Sequence, residues 1–505
     1  MRRSFYGVRS ASGSVSRFRA YTVSMKSVAL FLFFFALQTH SALAQNSQPS
    51  NGPQNALETG VVIPKVVCSG QPEQSYALYL PKHYAPDRRW PVVYVFDPGA
   101  RGKVPVEIMK DAAERSGFIV AGSNNSRNGP WKLESEAAQA MMKDVQTRLA
   151  IESRRSYFAG FSGGARASAT IAQLCQCAAG VLLSGAGFRP SSPPSREANF
   201  PVFSAVGTYD FNFPEMVRLD AKLEALGYPH FLRQFDGPHQ WAPSAVMDEA
   251  FAWFRLLAMK EGREPRDDSF VAAQERLADE RARALETSGD LYSAWKEYRR
   301  AVNTFAGLTD STSLKTRAQA LESNKAVREG LKREEGEFDE QQRLTQEISN
   351  GMAALAQNPT NRDDVRFELE QQIVALRSRS IHEKREEKFR VVKRALADVF
   401  ANAMETGEAR LEAGDVSLAR EYFQLACDAN PDSAWGLGDL ALAKARDGDR
   451  KGAMEALRRA REKTKDPVAF SEWLEEEPGF AKFRDSAEFR ALLLPIEKPQ
   501  GRGNE

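Results

Sequence analysis

The sequence predicts two fold classes in one chain: an α/β domain with a doubly wound sheet over residues 61–260, and an all-α helical-repeat domain over 269–495. Three observations predict them. A Gly-x-Ser-x-Gly pentapeptide, Gly160-Phe161-Ser162-Gly163-Gly164, sits between a strand-like and a helix-like segment. Apolar strand patterns alternate with helix patterns as far as Met259. Beyond that point the chain is nearly strand-free and rich in Ala, Glu, Arg and Leu.

The pentapeptide gains its meaning from its flanks. Ser156-Tyr157-Phe158-Ala159 reads as a short buried strand, and the small residues Ala165 to Ala172 read as a helix. A serine on a sharp strand-to-helix turn is exposed for attack, and neighbouring glycines allow a backbone approach that a Cβ would block. Such a serine needs a base and an orienting acid later in the chain. Of the five histidines, His40 and His83 precede Ser162, and His382 lies in the charged run His382 to Lys388, a solvated helix face. His230 opens the alternating strand Tyr228 to Phe235 and reads as structural, whereas His239 follows that strand in the loop Asp236-Gly237-Pro238-His239-Gln240-Trp241. His239 is the expected base. The expected acid is Asp210, which follows the apolar strand Phe200 to Gly207; Glu215 and Asp220 fall in the next helix, Pro214 to Leu226, and read as surface charges.

With this ordered triad of Ser162, Asp210 and His239 in place, the stretch from Tyr76 to Leu257 resembles the α/β-hydrolase superfamily, in particular secreted esterases related to polyhydroxybutyrate depolymerases, feruloyl esterases and dienelactone hydrolases. The resemblance implies cleavage of carboxylic esters through an acyl-enzyme, without a cofactor. A serine peptidase of the prolyl oligopeptidase type shares the triad, and a noncatalytic scaffold is the third reading. One departure stands out: the strand Trp90 to Phe96 is followed by Asp97-Pro98-Gly99-Ala100-Arg101-Gly102 where the family places a His-Gly pair. Pro98 has no amide proton. The expected oxyanion donors are therefore the amide of Gly163 and that of Gly99 or Ala100. Asp97 either orders this loop or is a plain turn residue. Arg101 and Trp241 are the expected substrate-binding residues.

Residues 1–44 read as a secretory signal: Lys26, an apolar run Val28 to Leu37, then Ala42-Leu43-Ala44. The run is far short of the roughly 20 residues a membrane span needs. Either Met1 or Met25 is the start, and export to the periplasm or the exterior is expected. Residues 45–60 read as a disordered entry and 496–505 as a disordered tail. A net charge of +2 with 27% charged residues gives no basis for a nucleic-acid partner. No His/Cys cluster has metal-ligand spacing, so no metal is expected. Among the four cysteines, Cys175 and Cys177 are read as too close to bridge each other; pairing of Cys68 with either, or free buried thiols, both stay open.

Residues 261–268 read as a charged linker that few contacts cross. Beyond it, Gly414-Asp415 with Ala419 and Ala426 recurs as Gly448-Asp449 with Ala453 and Ala460, a period of 34 residues, and Gly289-Asp290 with Ala294 and Ala301 repeats the internal spacing. The pattern resembles tetratricopeptide repeats, which implies a protein partner. Between the copies, charge-dense helices are expected over Leu331 to Ile348 and Asp363 to Ala397, separated by Asn358-Pro359, with their charges solvated.

Overall fold

The computed structural model describes residues 57–198, 200–357 and 361–493. The signal expected over 1–44, nearly all of the 45–60 entry, the break at Asn358-Pro359 and the 496–505 tail lie outside them.

Eight strands form one sheet: β1 (Val62–Cys68), β2 (Gln71–Tyr79), β3 (Trp90–Phe96), β4 (Ile119–Ser123), β5 (Ile151–Phe161), β6 (Gly180–Ser184), β7 (Val202–Gly207) and β8 (His230–Phe235). Their order is β1-β2-β4-β3-β5-β6-β7-β8. β1 and β2, and β2 and β4, pair antiparallel; every other pair is parallel. β3, β4, β6 and β7 are buried at every residue, as parallel strands covered on both faces must be. Four helices connect them, α1 (Lys103–Ser116), α2 (Trp131–Arg148), α3 (Gly163–Cys175) and α4 (Phe213–Leu226), and a fifth, α5 (Ser244–Lys260), follows β8. This is the α/β-hydrolase fold. The register pairs Phe96 with Gly160, Phe161 with Ser184 and Gly207 with Phe235, so the C-terminal ends of these strands align along one edge of the sheet.

The remainder is helical: α6 (Asp268–Thr287), α7 (Leu291–Phe305), α8 (Thr312–Glu322), α9 (Lys325–Gln357), α10 (Arg362–His382), α11 (Glu386–Glu412), α12 (Val416–Ala429), α13 (Ala434–Arg446), α14 (Arg450–Lys463), α15 (Pro467–Glu476) and α16 (Ala487–Leu493). The recurring Gly-Asp pairs encode helix-to-helix corners. Gly289, Gly414 and Gly448 take φ of 84°, 81° and 86°, the left-handed region open to glycine. The following Asp290, Asp415 and Asp449 each cap the next helix, accepting from the amides of Ser293, Leu418 and Gly452. Ala294, Ala419 and Ala453 are fully buried where paired helices meet.

Four expectations need correction. The helix expected over Asp363 to Ala397 is two helices, parted at Glu383–Arg385, where the Glu383 carboxylate accepts from the Arg385 amide at 3.1 Å and Arg385 is extended. Cys175 and Cys177 are bridged to each other: Gln176, at φ 50°, turns the chain back at the end of α3 and brings their Cα atoms to 5.1 Å, while Cys68 is free and buried. The charge-dense helices are not simply solvated, since Arg394 is 1% exposed and bonded to Glu337 at 2.7 Å.

Residues 261–268, lastly, do not separate two bodies with few shared contacts. β8 is an edge strand, and an edge requires cover. Helix α7 supplies it: Arg233 of β8 pairs with Glu297 of α7 as well as Glu249 of α5, and Arg299 pairs with Glu224 of α4. Leu256 and Met259 of α5 share one apolar cluster with Val271, Tyr298 and Phe305.

Candidate active site

Ser162 stands between β5 and α3 at φ 53°, ψ −121°, with its amide bonded to the Ser184 carbonyl at 2.9 Å. A non-glycine residue in such a conformation costs about 1–3 kcal/mol and persists only when its surroundings force it. Here the glycines do so. A Cβ on Gly164 would lie 2.0 Å from the Phe96 carbonyl oxygen, and one on Gly160 would lie 2.1 Å from the Gly164 carbonyl oxygen. Backbone atoms occupy both spaces, so the turn closes only with glycine at each position.

The Ser162 hydroxyl lies 3.0 Å from Nε2 of His239, and Nδ1 of His239 lies 2.9 Å from each carboxylate oxygen of Asp210. Asp210 is fully buried and accepts the Asn212 amide at 2.8 Å, while the Asn212 side chain donates to the Gly185 carbonyl. The imidazole is flanked by the rings of Phe161, at 4.6 Å, and Phe211, at 4.4 Å. The sequence-predicted trio is thus brought together. The rejected candidates lie elsewhere: His230 bonds the Tyr228 carbonyl and approaches Asp220 at 3.6 Å, His382 bonds the Ser378 carbonyl, and His83 approaches Glu114. Glu215 is a surface charge with partners, its side chain 37% exposed while it takes both terminal nitrogens of Arg166 and the Gly187 amide. Asp220 is half-buried beside His230, and this partial burial pushes its carboxyl above the ordinary carboxylate range.

The loop after β3 answers the question about Asp97. Its fully buried carboxylate accepts from the Gly99 amide at 2.9 Å, from Arg101 Nε at 2.8 Å and Nη2 at 3.1 Å, and from Trp241 Nε1 at 2.8 Å. It therefore orders the loop. The same bonds correct the oxyanion expectation: the Gly99 amide is held by Asp97, and the Ala100 amide donates to the Asp97 carbonyl at 3.2 Å, so neither is a free donor in this conformation. The Gly163 amide, first in α3, has no intrahelical acceptor. Sequence reading missed Asn128, whose side-chain oxygen lies 1.8 Å from the position a Gly163 Cβ would take. It lies in a loop after β4 without a motif of its own.

Beside His239 opens a cleft of about 690 Å³, lined in part by Arg101, Glu107, Asp111, Phe161, Gln240 and Trp241. That volume suits a small organic ligand, for which pockets of about 300–1,000 Å³ are usual. Arg101 and Trp241 both border it, yet both are tied to Asp97. Among the described residues no cluster of His, Cys, Asp or Glu could hold a metal ion, and no helix is long and apolar enough to cross a membrane.

No family model matches the chain, and no curated protein matches it. Among solved structures, an S-formylglutathione hydrolase from Staphylococcus aureus aligns at 12% identity, covering 38% of this chain and 96% of its own, with a TM-score of 0.32. An esterase from the archaeon Pyrobaculum calidifontis aligns at 14% identity over 40% of this chain and 87% of its own, also at 0.32. A ferulic acid esterase aligns at 16% identity over 36% and 91%, at 0.31. Likeness this distant assigns no activity to the chain.

Proposed function

We propose that the protein is a serine hydrolase that cleaves carboxylic esters through an acyl-enzyme. The observation that carries this reading is the continuous chain from Ser162 Oγ through both ring nitrogens of His239 to buried Asp210, on a serine held at φ 53°. His239 Nε2 takes the Ser162 proton as Oγ bonds to the ester carbonyl carbon, and Asp210 stabilises the imidazolium. The developing oxyanion is met by the Gly163 amide at the positive end of α3. Collapse expels the alcohol, which leaves with the proton from His239. Water, deprotonated by the same nitrogen, then frees the acid and restores the serine. The cleft favours a small or terminal ester, with Phe161 and Trp241 as its aromatic walls.

Export supports itself on the N-terminal pattern and on the Cys175–Cys177 bridge, which suits an oxidising compartment; N-terminal sequencing of the mature protein checks it. The helical region is proposed to bind a protein partner. The hydrolase reading is tested with a fluorophosphonate probe. Labelling of the wild type, mapped to Ser162 and absent in folded Ser162→Ala, is the expected result, and an unlabelled folded wild type would leave a noncatalytic scaffold. Nitrophenyl, feruloyl and hydroxybutyrate esters assayed side by side then identify the acyl group.

A further inference from the structure

The loop that carries Asp210 is held from outside by the helical region. Gln341 of α9, 5% exposed, donates from Nε2 to the Phe211 carbonyl at 2.9 Å. Tyr209 donates its hydroxyl to Glu386 at 2.9 Å and meets the ring of Phe389 edge-on at 6.1 Å, both on α11. Phe213 packs against Phe338 of α9 at 6.1 Å and lies beneath the Arg394 guanidinium of α11 at 4.7 Å. Residues 209, 211 and 213, alternate positions around Asp210, are therefore each gripped by α9 or α11. Phe211 joins the two systems, because its carbonyl is held by Gln341 while its ring lies 4.4 Å from the His239 imidazole.

Stability alone does not explain the glutamine. Its Oε1 is buried and has no protein partner. An unsatisfied buried acceptor is costly, and an apolar side chain of similar size would avoid that cost. What a Met or Leu could not do is fix the Phe211 carbonyl.

We propose that Gln341 is a positioning residue of the acid–base pair, so that the helical region completes the active site through α9 and α11. This rests on the serine-hydrolase reading. Gln341 lies outside the cleft beside His239, so its loss acts on the rate and not on binding.

The test compares wild type, Gln341→Met and Tyr209→Phe, all as full-length chains, by kcat and KM on a short-chain nitrophenyl ester, with active sites counted by fluorophosphonate labelling and with the melting temperature recorded. Small misplacement of a catalytic group costs up to about 10²-fold. Gln341→Met is expected to lower kcat per active site by between about 10-fold and 10²-fold at unchanged KM, with an equal or higher melting temperature. Tyr209→Phe, which removes only an exposed hydroxyl, is expected to lower kcat by roughly 3-fold, the share of one modest hydrogen bond. A Gln341→Met protein with wild-type kcat overturns the inference. If that variant does not fold, Tyr209→Phe decides: wild-type kcat overturns the inference and reduced kcat at unchanged KM upholds it. A folded wild type that neither labels nor turns over removes the hydrolase reading, and the inference falls with it.

Discussion

The two halves of the triad are held differently. Ser162 is fixed entirely within the α/β domain, by the Ser184 carbonyl and by backbone crowding at Gly160 and Gly164. Asp210 and His239 sit on loops, and the acid loop has its outer side clasped by α9 and α11. The proposed nucleophile, on its strained turn, is thus built into the rigid sheet. The loop of the proposed acid, by contrast, packs against helices that arrive late in the chain. The difference predicts that the α/β-hydrolase region of this protein is not a free-standing catalyst, although it contains every residue of the candidate triad.

The largest expected effect comes from removing the clasp altogether. A chain truncated after Lys260 leaves Arg233 without Glu297, uncovers β8 and exposes Leu256 and Met259. We expect an insoluble or inactive product in expression and labelling assays; a soluble truncation with full kcat would break the comparison. Gly164→Ala strikes the other half with similar force, because its Cβ would meet the Phe96 carbonyl oxygen at 2.0 Å and backbone cannot yield. Gly163→Ala meets only the Asn128 side chain, which can rotate away. Circular dichroism should find Gly163→Ala folded and Gly164→Ala not.

Next in size is Asp210→Asn. The amide can hold the wrong imidazole tautomer, and the rate should fall by up to about 10⁴-fold with the fold intact. Survival of activity would mean that another group orients His239, although Glu215 is already committed to Arg166.

Acidification probes the seam between the regions. Burial alone would raise the Glu297 carboxyl, but Arg300 and Arg233 outweigh it and hold it down at about 2 against an ordinary 4.5. A depressed carboxylate contributes stability that is present above its unfolded value and lost as pH falls toward the folded one. The contribution should therefore drain away between pH 4.5 and about 2, on the order of 3 kcal/mol. Melting temperatures across that window should fall for the wild type and change less for Glu297→Gln, which is already destabilised at neutral pH.

The candidate triad was legible because its determinants are local: a pentapeptide between strand and helix, a carboxylate at the end of an apolar strand, a histidine in a Gly/Pro loop. Chain order did the rest. The clasp was not legible, because Gln341 and Arg394 look like any polar residues of charge-dense helices until tertiary packing buries them. The same holds for Glu297, whose partner Arg233 lies 64 residues earlier. Asp97 carried a local signal, standing before Pro-Gly, but its bond to Trp241 spans 144 residues. The Gly99 and Ala100 amides were credible donors until the carboxylate and carbonyl of Asp97 claimed them. The reach of Cys175 to Cys177 depended on the left-handed turn of Gln176, which spacing alone does not reveal.

The smallest effect tests how far along the helical region the coupling extends. Asp449 caps α14 by accepting the Gly452 amide at 2.8 Å, in a corner that makes none of the bonds to the acid loop. Losing an N-cap aspartate costs about 1 kcal/mol. Asp449→Ala should lower the melting temperature slightly and leave kcat and KM at wild-type values, whereas Gln341→Met should do the reverse. A loss of kcat in Asp449→Ala at temperatures where it is fully folded would mean that strain travels from the distal hairpins through α11 to Tyr209, and that the whole helical region, not only its inner two helices, sets the geometry of the acid.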